Sequence, residues 1–331
     1  MPSSRMKLWL LYVAAFYVLW IVLVAVFGFW RQALAHWPIS VAMTFGSVVA
    51  GSTPLGGGTV AFPVLVLLFG QSPLLGRNFG MAIQALGMTS AMIFILCRHT
   101  PIQKRMLGWS VAGAAVGLAI GTFGVAPYLS PTVVKLLFSC LWVSFGMLTL
   151  VKNREICGLN QVALLDARSD TAVALAVGVL GGIVNSIIGV GIEMIVYTVL
   201  VLRYRCDLKA AIPTAVSAGA LASLMGIALH GVLGDIEREV LYNWLAAGPI
   251  VVWGAPFGAF LVSIIPRIRT LYFVAVLCVL QFIWTLYLVS PRVGEWIFVA
   301  STLLVATTGF YLLYRSGRES GVRLQGSGVR T

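Results

Sequence analysis

Ten apolar segments follow one another along almost the whole chain, and they constrain the fold more than any other feature of the sequence. Eight of them have ordinary spanning length, since about 20 apolar residues cross a hydrocarbon core roughly 30 Å thick. Hydrophobic residues make up 60% of the 331 residues and charged residues only 10%, whereas soluble domains carry about 25% charge. The sequence therefore predicts an all-α polytopic membrane protein. The segments are residues 8–30, 38–70, 79–97, 107–129, 132–151, 171–202, 211–231, 243–265, 271–289 and 295–314.

The second and sixth segments have an unusual length. They contain 33 and 32 residues, which would measure about 50 Å as continuous helix, too long for one crossing and too short for two. Helix-breaking sequence interrupts them at residues 51–58 (GSTPLGGG) and residues 185–193 (NSIIGVGIE). Non-helical backbone at membrane depth is tolerated only where protein buries it or where it lines a wet cavity. We therefore predict that each segment forms two half-helices that meet at a central loop.

The distribution of Lys and Arg favours a re-entrant arrangement of these two segments, because cytoplasmic loops carry an excess of basic residues. If all ten segments cross the membrane once, the 22 basic residues divide into 13 inside and 9 outside. If the second and sixth segments return to their own side, the division is 17 inside and 5 outside. We therefore predict eight transmembrane helices plus two opposed re-entrant helical hairpins, in the inner cell membrane, with both termini cytoplasmic.

The basic residues stand singly or in small groups between apolar segments. The formal charge of +12 therefore indicates topology signals rather than a nucleic-acid partner. The predicted partners are the lipid bilayer and a small solute. The first segment follows Arg5 and Lys7 like a signal peptide, but its 23 apolar residues suit a membrane span better than a signal-peptide core of about 7–15 residues.

The two long segments align with each other without gaps. Residues 49–67 and 184–202 share six identities in nineteen positions, including Gly56 with Gly191. Each long segment precedes three spans, and because three is odd we predict that the second copy is inverted, as in many secondary transporters. The predicted divisions are an N-terminal transmembrane helix (1–37), repeat 1 (38–151), a cytoplasmic linker (152–170), the inverted repeat 2 (171–290), and a C-terminal transmembrane helix with a cytoplasmic tail (291–331).

The residues around the first interruption resemble those of a known transporter family. Pro54-Leu55-Gly56-Gly57-Gly58, with Pro63 five residues later, is similar to the Gly-x-Gly-Gly-Gly and Pro motif of the sulfite exporter TauE/SafE family, also called the 4-toluene sulfonate uptake permease family. Pro54 replaces the family's usual glycine, and residues 189–193 form a degraded copy. The resemblance covers about residues 39–288. It implies a secondary transporter of small sulfur-containing anions such as sulfite or organosulfonates, and export is the leading hypothesis.

The loops between the half-helices have the chemistry of an anion site. A helix start leaves several N–H groups without partners and carries partial positive charge. Glycines let an oxyanion approach that backbone, and hydroxyl and amide groups add hydrogen bonds. The predicted substrate-binding residues are Thr53, Gly56, Gly57, Gly58, Thr59, Gln84, Asn185, Ser186, Gly191 and Ser217.

Glu193 is an acidic residue near the predicted middle of the membrane, where an ionised carboxylate costs about 2.5–3.5 kcal/mol. Three interpretations remain open: a first-turn residue stabilised by its own helix dipole, a proton-coupling site, or a cation ligand. An ionised Glu193 would repel an anion. The alternative function is therefore a carrier for a cation or a neutral solute, and an ion channel is a lesser alternative.

Catalytic and metal-binding motifs do not occur in the sequence. There is no HExxH or GxSxG motif, the three histidines are scattered, and the five cysteines form no CxxC pair. We therefore predict no enzyme activity, no cofactor and no metal site. The oligomeric state stays open, with a homodimer as one candidate.

Overall fold

A computed structural model of the protein describes residues 6–159, 168–261, 264 and 267–326. These residues form thirteen α-helices and contain no β-strand. The extreme termini and part of the predicted linker, residues 160–167, lie outside the described residues. The helices are α1 (Met6–Phe27), α2 (Trp30–Ala35), α3 (Trp37–Ser52), α4 (Gly58–Phe62), α5 (Pro73–Cys97), α6 (Lys104–Ile120), α7 (Pro131–Cys157), α8 (Arg168–Ile188), α9 (Ile192–Leu202), α10 (Leu208–Leu233), α11 (Arg238–Leu261), α12 (Arg267–Val289) and α13 (Val293–Gly326). π-Helical turns extend α4 over Pro63–Leu68 and α6 over Gly121–Val125.

Nine of the described helices are long and apolar enough to cross a membrane. Eight of them correspond to the eight predicted spans, and the ninth is α8. The first arm of the second long segment reaches span length because Ser169–Ile188 contains no strong helix breaker before Gly189. The described residues therefore contain one helix of span length more than the sequence predicts.

Both long segments are interrupted where the sequence predicts. α3 ends at Ser52 and α4 begins at Gly58, while α8 ends at Ile188 and α9 begins at Ile192. We call residues 53–58, which include the first residue of α4, tip 1, and residues 189–191 tip 2. The backbone of each tip reverses through glycines with positive φ, at 71° for Gly56 and at 89° and 130° for Gly189 and Gly191. Glycine adopts such conformations without the steric cost that other residues have.

The two arms of each long segment lie against each other in opposite directions. Four contacts between the arms show this: a residue further along the first arm meets a residue earlier in the second arm. The pairs are Ala50 with Gly57 and Gly46 with Val60 in the first segment, and Val184 with Gly191 and Gly181 with Ile192 in the second. Each long segment therefore folds back on itself at its tip.

Helix directions show where each long segment begins. We call the two ends of the bundle the Pro73 end and the Cys97 end, after the first and last residues of α5. α3 and α5 run parallel to α11, while α10 runs antiparallel to α5, and α8 runs parallel to α6. The contacts are Ser40–Ala246 and Val48–Gly258 for α3–α11, Leu86–Gly248 and Ser90–Val252 for α5–α11, Arg77–His230 and Gln84–Ser223 for α5–α10, and Ser110–Gly178 and Gly121–Ser186 for α6–α8. Since α6 follows α5 after a short loop, α3 starts at the Pro73 end and α8 at the Cys97 end.

Two helix pairs pack with their backbones in direct contact. In the α6–α8 seam, a Cβ added to Gly113 or Gly117 would collide with a carbonyl oxygen of α8, and a Cβ added to Gly178 or Gly182 would collide with one of α6. In the α3–α11 seam, Gly51 meets the carbonyl oxygen of Ala255, and Gly258 meets that of Val48. Small residues of this kind let membrane helices approach closely.

Glu155, near the end of α7, joins three parts of the chain at the Cys97 end. Arg205 Nη1 donates to its Oε1 over 3.1 Å, and the Tyr314 hydroxyl donates to its Oε2 over 3.1 Å. Lys152 Nζ lies 3.6 Å from the same Oε2. Burial raises the pKa of Glu155. The hydrogen bonds from Arg205 and Tyr314 and the charges of Lys152 and Arg205 together lower it by more than burial raises it, so the pKa lies below the ordinary value of 4.5.

This network predicts a pH-dependent stability difference. A depressed carboxyl pKa stabilises the fold above the unfolded pKa, and this stabilisation is lost as the pH falls through the folded pKa. Because Glu155 is about one third exposed, we expect Glu155→Gln to lower Tm in detergent by only about 2 °C at pH 7. At a pH well below 4.5 the two proteins should unfold together. An equal difference at both pH values would contradict an electrostatic role.

Candidate functional site

Tip 1 and tip 2 touch each other inside the bundle. Gly58, the first residue of α4, lies so close to Val190 of tip 2 that an added Cβ would overlap Cγ1 of the valine. A Cβ added to Gly56 would overlap Oε1 of Glu193 and Nε2 of Gln84. Gln84 lies near the middle of α5 (Pro73–Cys97). The two interruptions of the chain therefore share one location, deep within the bundle.

A chain of buried polar side chains lies at this contact. Gln84 Nε2 donates to Oε1 of Glu193 over 3.1 Å, and Ser223 Oγ donates to Oε1 of Gln84 over 2.9 Å. All three residues are at most 1% exposed. Oε2 of Glu193 has no hydrogen-bond partner among the described residues, and Gly219 of α10 faces it. The cluster thus leaves one buried carboxyl oxygen on which a proton can sit.

No ion pair within the described part of the chain includes Glu193. The side chains that face it from tip 1, α5 and α10 are those of Gln84 and Met88, together with the glycines at 56 and 219. None of these groups titrates. A proton or a bound cation is therefore what would balance its charge.

The starts of both second arms lie beside this cluster. Gly57 precedes α4 and Gly191 precedes α9, and neither helix has a side-chain hydrogen bond that caps its start. Glu193 lies in the first turn of α9. Two sets of first-turn N–H groups therefore converge where the tips meet, which favours negative charge at this place.

The predicted hydroxyl ligands are occupied by the backbone in this conformation. Each hydroxyl proton goes to a carbonyl oxygen about one turn earlier in the chain, so none is left to donate to a solute. The bonds are Thr53 to Val49, Thr59 to Leu55, Ser186 to Ile183 and Ser217 to Pro213. Thr59 also accepts a hydrogen bond from Trp142 Nε1 over 2.8 Å.

The remaining predicted residues differ from one another in their surroundings. Asn185 is fully buried, and both polar atoms of its amide lack partners among the described residues. Gly57 has room for a methyl group, since an added Cβ would lie 3.5 Å from Ala50 and 3.8 Å from Gln84. Gly191 packs against Val184 of α8. Of the predicted polar side chains, Asn185 is the one whose polar atoms all lack partners among the described residues.

Sequence reasoning did not select Ser223 and Gly219, which belong to the polar chain and its surroundings. They lie one helical turn apart on α10, so they share a face of that helix. A pair of small residues on the face of a span that follows an interrupted segment was the available signal. Its meaning depends on knowing that this face meets α5.

A second polar cluster lies at the Pro73 end. Arg77 Nη2 donates to Oδ2 of Asp235 over 2.9 Å, and Nδ1 of His230 lies 2.9 Å from the same oxygen. The carbonyl oxygen of Arg77 packs against Gly189 so closely that a Cβ there would collide with it. Gly189 of tip 2 thus packs against the backbone of Arg77, the residue that forms the ion pair with Asp235.

Comparison with known proteins identifies a family. A model of the family described as sulfite exporter TauE/SafE matches residues 39–285, about three quarters of the chain. The matched region contains both tips, Gln84, Glu193 and Ser223. No curated protein and no solved structure matches the chain. Because the family match extends over well more than half of the sequence, the chain belongs to the sulfite exporter TauE/SafE family.

Proposed function

We propose that this protein is a secondary transporter that exports a small sulfur-containing oxyanion, such as sulfite or an organosulfonate, across the cell membrane. Membership of the TauE/SafE family implies a membrane transporter of the sulfite or sulfonate type. The observation that carries the proposal is the contact between tip 1 and tip 2 at the buried Gln84–Glu193 pair. Interrupted helices that meet deep in a bundle are typical of transporter substrate sites.

In this proposal the anion binds between the two helix starts. The starts of α4 and α9 supply partial positive charge, and Gly56 and Gly58 keep side chains away from the backbone there. The free amide of Asn185 adds a donor. A protonated Glu193 donates through Oε2 instead of repelling the anion, so proton binding and anion binding support each other.

We further propose that the two long segments are opposed re-entrant hairpins of an inverted repeat, over residues 38–151 and 171–290. Three observations support this proposal. The arms of each segment are antiparallel, α3 starts at the Pro73 end, and α8 starts at the Cys97 end. In this proposal the distribution of Lys and Arg favours a cytoplasmic Cys97 end and cytoplasmic termini.

Cysteine labelling tests this topology in a variant that lacks the native cysteines. Exposed positions precede and follow each long segment: Arg31 and Gln71 for the first, Ser169 and Lys209 for the second. We expect an impermeant maleimide to label cysteines at 31 and 71 from outside intact cells, and those at 169 and 209 only after permeabilisation. If the two sites of one segment were labelled from opposite sides, that segment would cross the membrane and the proposal would be wrong.

Counterflow in proteoliposomes tests the function itself. Vesicles loaded with unlabelled sulfite are expected to accumulate labelled sulfite from a dilute external medium, and a range of organosulfonates should compete. A protein-free vesicle and one that contains the Gly56→Ala variant serve as controls. The proposal would be overturned if labelled sulfite accumulated equally without internal sulfite and in the presence of competing organosulfonates.

A carrier for a cation or a neutral solute is the second candidate. The specific observation in its favour is the unpaired Oε2 of the fully buried Glu193, which suits a cation as well as a proton. The same vesicles distinguish the two functions, because counterflow of a labelled monovalent cation, insensitive to sulfite, would favour the second candidate.

A further inference from the structure

A cavity of about 450 Å³ opens at the Cys97 end of the bundle. Four helices surround it: the ends of α3, α5 and α11, and the start of α10. Its wall includes Gly51, Ile95 and Phe260 from the ending helices, and Lys209 and Pro213 from α10. The residues of the tip contact, in contrast, are buried. The cavity is therefore separate from the tip contact.

Two cationic side chains line the cavity. The guanidinium carbon of Arg98 lies 5.7 Å from the ring centroid of Phe94 and 5.4 Å from that of Phe260, which holds it against the wall. Lys209 is the second residue of α10 and is exposed. Neither residue forms an ion pair with another described residue.

No carboxylate belongs to the described wall of the cavity. Asp207, two residues before Lys209, is instead bound to the start of α10, where its Oδ1 accepts from the Lys209 backbone N–H over 3.1 Å. The lining is therefore positive. A concave surface with charge of one sign and apolar walls concentrates ions of the opposite sign.

The position of the cavity relates it to tip 1 and to Glu193. Gly51 lies in the last turn of α3, two residues before tip 1 begins. Pro213 lies six residues before Gly219, which faces Glu193, a distance of about 9 Å along the helix. A solute in the cavity is therefore within about two helical turns of the tip contact.

We infer that this cavity is an anion-collecting vestibule, which takes oxyanions of one or two negative charges from the cytoplasmic side before they reach the tips. This inference rests on the proposed function. The volume exceeds that of a single small anion, and the two cations are not held in a tight ring of donors. The vestibule consequently selects by charge rather than by shape, and shape selection falls to the tips.

The test combines Arg98→Gln with Lys209→Gln and measures transport kinetics in proteoliposomes. In low salt the apparent KM for sulfite should rise about tenfold with little change in maximal rate, because the vestibule acts on local concentration. The difference should shrink to about twofold at high ionic strength, where exposed charges are screened. Lys104→Gln removes an exposed cation from the same end but outside the cavity wall, and should leave KM unchanged.

Further measurements keep the outcome clear. Arg98→Lys retains the charge and should retain the KM, whereas a loss in this variant equal to that of Arg98→Gln would assign the effect to packing. Calorimetric titration of sulfite into detergent-solubilised protein should show about tenfold weaker binding in the double variant. Unchanged KM, salt dependence and binding would overturn the vestibule and leave the proposed function intact. Binding that depends on Arg98 and Lys209 in a protein without anion counterflow would overturn the proposed function alone.

Discussion

Replacing Gly56 with alanine is expected to reduce transport by about 10- to 100-fold. The new Cβ would occupy the space of Oε1 of Glu193 and Nε2 of Gln84, so the hydrogen bond between these two buried groups must break. Leaving a buried polar group unsatisfied costs about 1–3 kcal/mol, and each 1.4 kcal/mol at a transport barrier corresponds to about a factor of ten. The φ of 71° at Gly56 adds strain for any L-residue. Initial rates of sulfite counterflow give the measurement.

The neighbouring glycine supplies a matched control. Gly57 has an ordinary helical φ of −70°, and its added Cβ would make only van der Waals contacts of 3.5 Å or more. Gly57→Ala should therefore transport at close to the rate of the unmodified protein. Monodisperse elution in detergent would show that Gly56→Ala still folds. Equal activity of the two alanine variants would mean that the tip contact has no part in transport.

Glu193→Gln is expected to remove the response of transport to a pH gradient while it preserves exchange. Glutamine imitates the protonated carboxyl group, and its oxygen can still accept the 3.1 Å hydrogen bond from Gln84. Anion binding and counterflow should therefore stay within about twofold of the original protein, since the variant keeps one neutral hydrogen bond in place of another. Net flux driven by an imposed pH gradient should no longer be accelerated, because no group at the tips exchanges a proton.

The capping role of Glu193 makes a different forecast. If the carboxylate only stabilises the start of α9, the glutamine variant should unfold at a slightly lower temperature and keep its pH response. Flux against imposed gradients of several sizes, measured beside the unfolding curve, separates the two roles. Glu237→Gln, a substitution at an exposed carboxylate, controls for unspecific effects of charge. A gradient response that persists in Glu193→Gln would end the coupling hypothesis.

The coarse architecture could be predicted because it depends on local composition. Apolar stretches of span length and the Gly-rich interruptions around Gly56 and Gly189 are visible without knowledge of tertiary contacts. The length of α8 was harder to predict. A helix in a membrane continues until its backbone is broken, and the break in the second long segment, residues 171–202, comes only at Gly189. This late break explains why α8 reaches span length.

The candidate site was predictable only in part. Gln84 and Glu193 stand out as polar residues within apolar segments, and the structure places them in contact with each other. The hydroxyls of Thr53 and Ser186 are indistinguishable in sequence from free donors, yet both bond to their own helix. Ser223 is one small residue among many until the packing of α10 on α5 is known. Which donors remain free is thus a property of tertiary structure.

The two glycine seams, α6–α8 and α3–α11, constrain how the helices could move relative to one another. Each seam joins a helix of residues 38–151 to a helix of residues 171–290, α6 with α8 and α3 with α11, by direct backbone contact. A rocking motion of one sequence half against the other would have to pull both pairs apart. Any motion that preserves these contacts must therefore keep α6 with α8 and α3 with α11. Neither half, expressed alone, would contain either seam.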